Sequence, residues 1–377
     1  MILKNAQLVN ENFDLIQADL ETEGENISRI GPGLSGGEEV DCAGCTLVPG
    51  FVDIHIHGCV GGDTCDASRE KLEKMAGYLI TKGVTSFCPT TMTVSHEEIC
   101  AALQNVKDCM ERPVAGARVV GVNMEGPFIS AKKKGAQMEE YVRNPDWRAF
   151  REYYEGCGGI IKLVDIAPEC PGGEEFVRNA SQLCTVSIAH TESDFDQAKL
   201  AFSWGITHAT HMYNAMSGLA HRNPGVVGAI FDTEGVRAEL ICDGFHIHPA
   251  VLRHTFRALG EDRTVVVSDA MRSAGEPDGV SELGGQKVYV KNGQARLEDG
   301  TIAGSTTNLH QELKNLLSFG IPFRQAVKSV SLNPAREIRE DARLGSLAPG
   351  KLADVVVLDG DCNIKMVIQG GKIVVGK

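Results

Sequence analysis

Short apolar runs alternate with amphipathic stretches through the middle of the chain. The amphipathic stretches have helical periodicity, and several begin with a Ser or Asp suited to cap a helix, as at 68–81, 95–110 and 194–203. The apolar runs predict eight buried strands, at 51–57, 84–88, 119–125, 160–166, 185–190, 205–210, 236–242 and 264–268. Eight strands separated by helices favour a (β/α)8 TIM-like barrel over the main alternative, a doubly wound open sheet.

The two ends of the chain carry a different pattern. Apolar and polar residues alternate over short segments near the N-terminus, as at 2–9, and again near the C-terminus, as at 365–368. Alternation with a period of two predicts strands that bury one face. We therefore expect an α/β protein with a small β-sandwich domain built from residues 1–48 and 341–377, and with the barrel formed by residues 49–340.

Charge and composition limit the possible partners. The 377 residues have a formal net charge of −13, which argues against nucleic acid or an anionic membrane as the main partner. No apolar run reaches membrane-spanning length, and the N-terminal segment lacks the pattern of a signal peptide. The 12 cysteines are scattered, as is typical of free thiols in a cytoplasmic protein. We expect a cytoplasmic protein that acts on a small molecule.

His55 and His57 stand at the end of the first predicted barrel strand. Side chains two residues apart on a strand point to the same face, so both imidazoles are directed to one point. Gly58 follows and allows the backbone to turn sharply. Two neutral imidazoles with a common direction suit zinc, iron or another divalent metal ion. By itself this pair is a modest signal, because two hydrogen-bonded core histidines would look the same in the sequence.

Further metal-competent side chains follow other predicted strands. In a (β/α)8 barrel the active site lies at the carboxyl ends of the strands. The third, fifth, sixth and eighth predicted strands lead to Glu125, His190, His211 and Asp269. With the two histidines of the first strand, these residues form a ligand set typical of a hydrolytic centre with one or two metal ions. His208 lies three residues before His211, so we expect it to be a core or helix-facing residue instead.

Several longer motifs resemble those of one enzyme family. The motifs lie at 49–58, 123–128, 211–216, 242–246, 268–271 and 348–354. They resemble the N-acetylglucosamine-6-phosphate deacetylases of the amidohydrolase superfamily, and the resemblance extends over nearly the whole chain. The first motif is shared by the superfamily, whereas Glu-Gly-Pro-Phe and His-x-Tyr-Asn-Ala-Met are more specific to these deacetylases.

The resemblance implies a metal-dependent hydrolase that removes acetate from N-acetylglucosamine 6-phosphate in amino-sugar catabolism and recycling. Glu125, His190 and His211 correspond to the principal metal ligands of the family. His55, His57 and Asp269 would hold a second ion, so the resemblance implies one or two divalent ions per subunit, zinc or iron. Asp269 also corresponds to the catalytic acid/base that takes a proton from metal-bound water and gives it to the leaving amine. Some members lack the second histidine and keep one metal ion.

The resemblance also implies residues that contact the substrate. Arg222 corresponds to a phosphate-binding arginine that reaches across the interface of a homodimer. His246, Asn214 and the backbone around Ala215 correspond to sugar or phosphate contacts. Gln137 stands where some members carry a histidine near the acetyl group. An amide can donate a hydrogen bond there, but it cannot change charge.

Other functions fit some of these residues. An N-acetylgalactosamine-6-phosphate deacetylase would act on a substrate that differs at one hydroxyl group, and no residue of the sequence decides between the two sugars. A cyclic amidohydrolase similar to dihydropyrimidinases would bridge two ions with a carboxylated lysine, whereas the bridging position here holds Glu125. A non-enzymatic scaffold would need neither Asp269 nor the metal ligands.

Overall fold

The computed structural model describes residues 1–376, which form 22 strands and ten α-helices. In chain order the strands are β1 Ile2–Val9, β2 Leu15–Glu23, β3 Asn26–Gly31, β4 Glu39–Asp41, β5 Thr46–Pro49, β6 Phe51–Ile56, β7 Gly58–Cys59, β8 Gly62–Asp63, β9 Val84–Thr91, β10 Arg118–Val119, β11 Val122–Met124, β12 Ile161–Ile166, β13 Thr185–Ile188, β14 His208–Ala209, β15 Arg237–Leu240, β16 Thr264–Val266, β17 Gly279–Leu283, β18 Gln286–Lys291, β19 Gln294–Arg296, β20 Val355–Leu358, β21 Ile364–Gln369 and β22 Lys372–Val375. The helices are α1 Arg69–Thr81, α2 His96–Glu111, α3 Trp147–Gly156, α4 Gly173–Ala180, α5 Phe195–Trp204, α6 Gly225–Phe231, α7 Pro249–Leu259, α8 Leu309–Ser318, α9 Phe323–Ser329 and α10 Leu332–Glu337.

Eight parallel strands form the central barrel, in the order β6, β9, β11, β12, β13, β14, β15 and β16. A parallel bridge from Ile56 to Ala270, just after β16, brings the last strand back to the first. The backbone amide of Asp269 also donates to the carbonyl of His55, at 2.9 Å. The predicted barrel is thus confirmed, and all eight strands lie at or near their predicted positions.

Helix caps explain where the helices that surround the barrel begin. The Ser95 hydroxyl accepts from the backbone amide of Glu98, and the Glu98 carboxylate accepts from the amide of Ser95. Asp194 and Gln197 form the same reciprocal cap on α5. The predicted helices at 68–81, 95–110 and 194–203 are therefore present within a residue or two at each end.

Strands from both ends of the chain form a second, mostly antiparallel sheet, in the order β22, β21, β20, β5, β1, β2 and β3, with β4 also beside β1. Its alternating pattern buries one set of side chains in a shared apolar core, for example Leu3, Leu8 and Val355. Gly50 separates β5 of this sheet from β6 of the barrel. A Cβ at Gly50 would lie 2.2 Å from the Thr85 hydroxyl, so the close approach at this junction requires glycine.

A three-stranded antiparallel sheet, β17 to β19, lies between the last barrel strand and α8. The sequence analysis did not predict this sheet. The side-chain amide of Gln286 on β18 donates to the backbone carbonyl of Ala136, so the insertion is tied to the loop that follows β11. Within residues 1–376, the helices are too short or too polar to cross a membrane.

Candidate metal centre and substrate cavity

Two groups of potential metal ligands share one residue at the carboxyl ends of the barrel strands. Glu125 forms one group with His190 and His211, and a second group with His55 and His57. Within each group, one ligand atom from each residue lies within 4.8 Å of the others. All five side chains are buried. The structure thus brings together the ligand residues that the sequence places after four different strands.

The two oxygens of Glu125 face different histidines. Oε1 lies 3.0 Å from His190 Nε2 and 3.1 Å from His211 Nε2. Oε2 lies 3.2 Å from His57 Nε2. A carboxylate whose oxygens point to two sets of imidazoles is placed to contact two cations at once.

Asp269 joins the second group. Its Oδ1 lies 3.4 Å from His57 Nε2 and 3.6 Å from His55 Nε2. The Nε2 atom of His55 is buried and lacks a hydrogen-bond partner among residues 1–376. An unpaired buried nitrogen between two carboxylates is costly in a protein interior unless a cation or water completes its surroundings.

The Nδ1 atoms of three histidines each face an acceptor. Lys133 O lies 2.8 Å from His190 Nδ1, Thr90 O lies 3.3 Å from His57 Nδ1, and a Glu239 oxygen lies 2.8 Å from His55 Nδ1. An acceptor at Nδ1 favours the tautomer that leaves Nε2 free as a ligand. The side chains present therefore fit a divalent metal ion.

The backbone is strained where three of these side chains leave their strands. The φ angles of His190, His211 and Asp269 are 42°, 31° and 45°. Residues other than glycine rarely adopt this left-handed conformation, which costs on the order of 1–3 kcal/mol per residue. The strain turns each side chain from the end of its strand towards the shared centre, and its concentration here is typical of a functional site.

Burial and charge together set the ionisation of the metal-free centre. Burial alone would raise the pKa of Glu125, but the hydrogen bonds from His190, His211 and His57 hold that pKa well below its usual range. Burial likewise opposes ionisation of Asp269, yet the charges of His55 and His57 give this carboxyl a lowered pKa. The same carboxylates overcome the effect of burial on the His57 imidazole and raise its pKa to about 10. The centre favours positive charge in this field, whether carried by protons or by metal ions.

A cavity of about 380 Å³ opens above the centre. Its lining includes most of the predicted site residues, namely His57, Glu125, Gln137, His190, His211, Asn214, Ala215, His246 and Asp269. His55 lies below them, fully buried. The cavity is large enough for a ligand of the size of a monosaccharide phosphate.

Two polar side chains in this cavity are fixed by neighbours. The Gln137 side-chain oxygen accepts from the backbone amide of Thr93 at 2.7 Å, and its amide nitrogen donates to Glu125 Oε2 at 2.5 Å. His246 Nδ1 lies 2.7 Å from an oxygen of Asp243, so its opposite nitrogen is free to face the cavity. Both residues are therefore held in defined orientations.

Arg222 lies apart from the other predicted site residues. It is exposed, its Nη1 lies 2.9 Å from His221 Nε2, and it borders a separate surface cavity of about 510 Å³ beside Glu192 and Asp194. The Arg222 side chain therefore does not line the main cavity of its own chain.

The sequence analysis missed several residues of the site. Lys132 and Lys133 line the cavity, and so do Leu283 and Ile302 from the insertion. Glu239, on β15, was also missed. Its signal is a lone acid between Ala238 and Leu240 in an apolar strand. His208 is fully buried, in agreement with the predicted core role.

Comparison with known proteins shows what the chain is similar to. A sequence model of the amidohydrolase family matches residues 46–374. The N-acetylglucosamine-6-phosphate deacetylase of Bacillus subtilis (strain 168) is 36% identical, over 99% of this chain and 96% of that relative. The N-acetylgalactosamine-6-phosphate deacetylase of Escherichia coli O157:H7 is 35% identical, over 86% of this chain and 86% of that relative.

Solved structures agree with these sequence matches. The N-acetylglucosamine-6-phosphate deacetylase of Thermotoga maritima superimposes with a TM-score of 0.90 at 33% identity, over 100% of both chains. A mutant of the Mycobacterium smegmatis deacetylase, in complex with N-acetyl-D-glucosamine-6-phosphate, superimposes with a TM-score of 0.94 at 29% identity, over 100% of this chain and 99% of the other.

Proposed function

The chain belongs to the amidohydrolase family and groups there with the N-acetylglucosamine-6-phosphate deacetylases, and we propose that it hydrolyses N-acetylglucosamine 6-phosphate to glucosamine 6-phosphate and acetate. One observation carries the proposal. Glu125 is shared by two groups of buried histidines at the floor of a cavity of about 380 Å³. A hydrolase needs this combination of a charge-stabilising centre and an adjacent space for an amide.

The ligand set defines the cofactor part of the proposal. Glu125, His190 and His211 would hold the first divalent ion, and His55, His57 and Asp269 would hold a second, with Glu125 in reach of both groups. Imidazole and carboxylate ligands of this kind suit zinc or iron. A bound divalent ion lowers the pKa of water and stabilises negative charge on an acyl oxygen.

Asp269 is proposed to move the proton. Its carboxylate lies at the cavity, and its pKa is lowered, so it is ionised at neutral pH and ready to accept a proton. It takes a proton from the attacking water and later gives it to the amine nitrogen that leaves. Glu125 is less suited to this role, because both of its oxygens already face imidazoles or the Gln137 amide.

Gln137 and His246 are proposed to contact the sugar. The Gln137 amide is fixed beside Glu125, where it can donate to the acetyl oxygen when the substrate displaces its present bond. His246 lies on another side of the cavity, where Asp243 orients its ring. Asn214 and the backbone at Ala215 complete the polar lining. These groups bind and orient the acetamide and the ring hydroxyls.

The phosphate is proposed to bind at the cavity entrance. Lys132 and Lys133 border the cavity and supply positive charge in a protein whose net charge is negative. Arg222 is exposed on the loop before α6 and, in a homodimer, offers a bidentate guanidinium to the phosphate bound by the other subunit.

The 12 free cysteines are typical of a protein that acts in the cytoplasm.

Acetate release from matched substrates tests the proposal. The purified protein should hydrolyse N-acetylglucosamine 6-phosphate with a higher kcat/KM than N-acetylgalactosamine 6-phosphate. Unphosphorylated N-acetylglucosamine should be a poorer substrate than either, because it lacks the charged anchor. Preference for the galactosamine compound would assign the other epimer, and absence of acetate from all three would reject a deacetylase.

A further inference from the structure

A line of buried charged groups leads away from His55 towards the opposite end of the barrel. His55 Nδ1 lies 2.8 Å from Glu239 Oε2, and Glu239 Oε1 lies 3.0 Å from His208 Nε2. All three side chains are fully buried. Glu239 is not part of the cavity lining, so it cannot contact the substrate directly.

The line continues to the first residue of β15. His208 Nδ1 lies 2.8 Å from Glu337 Oε2, and Glu337 Oε1 accepts from Arg237 at 2.8 Å. Arg237 and Glu239 are two residues apart on β15 and point to the same face. Glu337 ends α10, whose residues pack against β6 and β16. The strands β6 and β15 and the helix α10 therefore hold the two ends of this line of residues.

The order of the groups fixes the direction of the hydrogen bonds. An ionised carboxylate can only accept, so Glu239 is the acceptor towards His208 Nε2. It then also acts as the acceptor for His55 Nδ1. His55 is left with a bare Nε2, which points between Glu125 Oε1 at 3.8 Å and Asp269 Oδ1 at 3.6 Å.

Stability alone is a poor reason for this arrangement. Four ionisable groups in the interior carry a large desolvation cost, and a buried ion-pair network is often no more stable than apolar residues of the same volume. A carboxylate behind a metal-binding histidine has a different use, because it fixes the ring and raises the basicity of the ligand nitrogen.

We propose that Glu239 is a positioning residue that holds His55 for the second metal ion, with His208, Glu337 and Arg237 as its anchor. The proposal rests on the proposed function only in taking the ion to be a divalent metal. Its test measures metal binding, so loss of deacetylase activity and loss of the second ion are distinguished.

Zinc titration of the metal-free protein provides the test. Glu239→Leu removes the acceptor for His55 and should weaken binding of the second ion by about 100-fold. Binding of the first ion should weaken much less, because Glu239 touches that ion's ligands only through the backbone amide of His211, at 3.3 Å. Glu239→Gln keeps an oxygen for His55 but loses the charge, so the affinity for the second ion should fall by about tenfold. Glu337→Gln, at the far end of the line, should have a smaller effect on the same ion.

Glu312→Gln is the matched control. Glu312 is also fully buried, and burial raises its pKa well above the usual carboxyl range, so an amide resembles its neutral form. It should leave both ions unchanged.

Long-range ¹H–¹⁵N spectra of the metal-free protein supply a readout that does not depend on metal. The Nδ1 proton of His55 should be hydrogen-bonded and visible in the wild type and in Glu239→Gln, and its signal should be lost in Glu239→Leu. Three results would overturn the proposal. The wild type could bind only one zinc ion, both Glu239 variants could keep the wild-type affinity for the second ion, or the affinities for the two ions could fall equally.

Discussion

The Nε2 atoms of His190 and His211 lie 3.2 Å apart, with Glu125 Oε1 at 3.0 Å from the first and 3.1 Å from the second. Two nitrogen lone pairs at this separation repel each other unless a proton or a cation lies between them. Both histidines have positive φ angles, so the backbone accepts strain to hold them there. The pair therefore marks the expected position of the first metal ion.

Replacement of Glu125 should have the largest effect of any single ligand change, because its carboxylate faces both histidine groups. Glu125→Gln should lower the zinc content of the dialysed protein towards zero and should lower kcat by on the order of a thousandfold. Elemental analysis and acetate release measure the two effects. Glu312→Gln, a buried acid outside the site, serves as the control, and equal losses in the two variants would contradict the assignment.

Replacement of His57 tests the second ion separately from the first. The His57→Asn variant should keep one ion per chain, because the group of Glu125, His190 and His211 stays complete. It should lose the second ion, and its kcat should fall by at least about tenfold. If the variant holds one ion and keeps nearly full activity, the second ion has no part in the reaction.

Asp269→Asn tests the proton carrier. An amide cannot accept a proton, so kcat should fall by about two to four orders of magnitude while KM changes little. Because Asp269 also borders the second metal position, metal content has to be measured on the same preparation. Near-normal kcat with normal metal content would assign the proton transfer to another group.

Arg222→Ala tests the phosphate contact. Loss of a charge-assisted bidentate contact should cost about 2–3 kcal/mol, or roughly 30- to 150-fold in kcat/KM, for the phosphorylated sugar. The unphosphorylated sugar should be affected much less, so the two substrates converge. Arg178→Ala, which removes an exposed arginine of α4, controls for general surface effects. Equal losses for both sugars would show that Arg222 supports the fold or the dimer instead.

Acid–base linkage predicts how the metal-free protein responds to pH. The pKa of His57 is raised from 6.5 to about 10, so its contribution to stability is complete below pH 6.5 and is lost as the pH rises through 10. The unfolding temperature of the metal-free wild type should therefore fall between pH 7 and pH 10. In metal-free His57→Asn the fall should be smaller by about 2 °C or more. The same fall in both proteins would contradict the raised pKa.

The convergence of the potential metal ligands could be predicted because their positions follow from strand geometry. His55 and His57 share a face at an interval of two residues, and the barrel brings Glu125, His190 and His211 to the same end. No knowledge of side-chain packing was needed for either step. The positions of the strand ends therefore explain why the side chains predicted to lie together do lie together in the structure.

The remaining features depend on contacts that the sequence does not encode locally. Glu239 meets His55, 184 residues away, only because β15 and β6 both face the barrel interior. Leu283 and Ile302 reach the cavity from an insertion that packs against the main core and is tied to the loop after β11 by Gln286 and Ala136. Arg222 is exposed and borders a separate surface cavity of its own chain.

Removal and return of the metal tests the central claim most directly. The protein is stripped with a chelator, and acetate release from N-acetylglucosamine 6-phosphate is followed as zinc or ferrous iron is added back. The account predicts that the stripped protein is inactive, and that activity returns as the added ion fills the sites around Glu125. Full turnover by protein shown to be free of metal would contradict it.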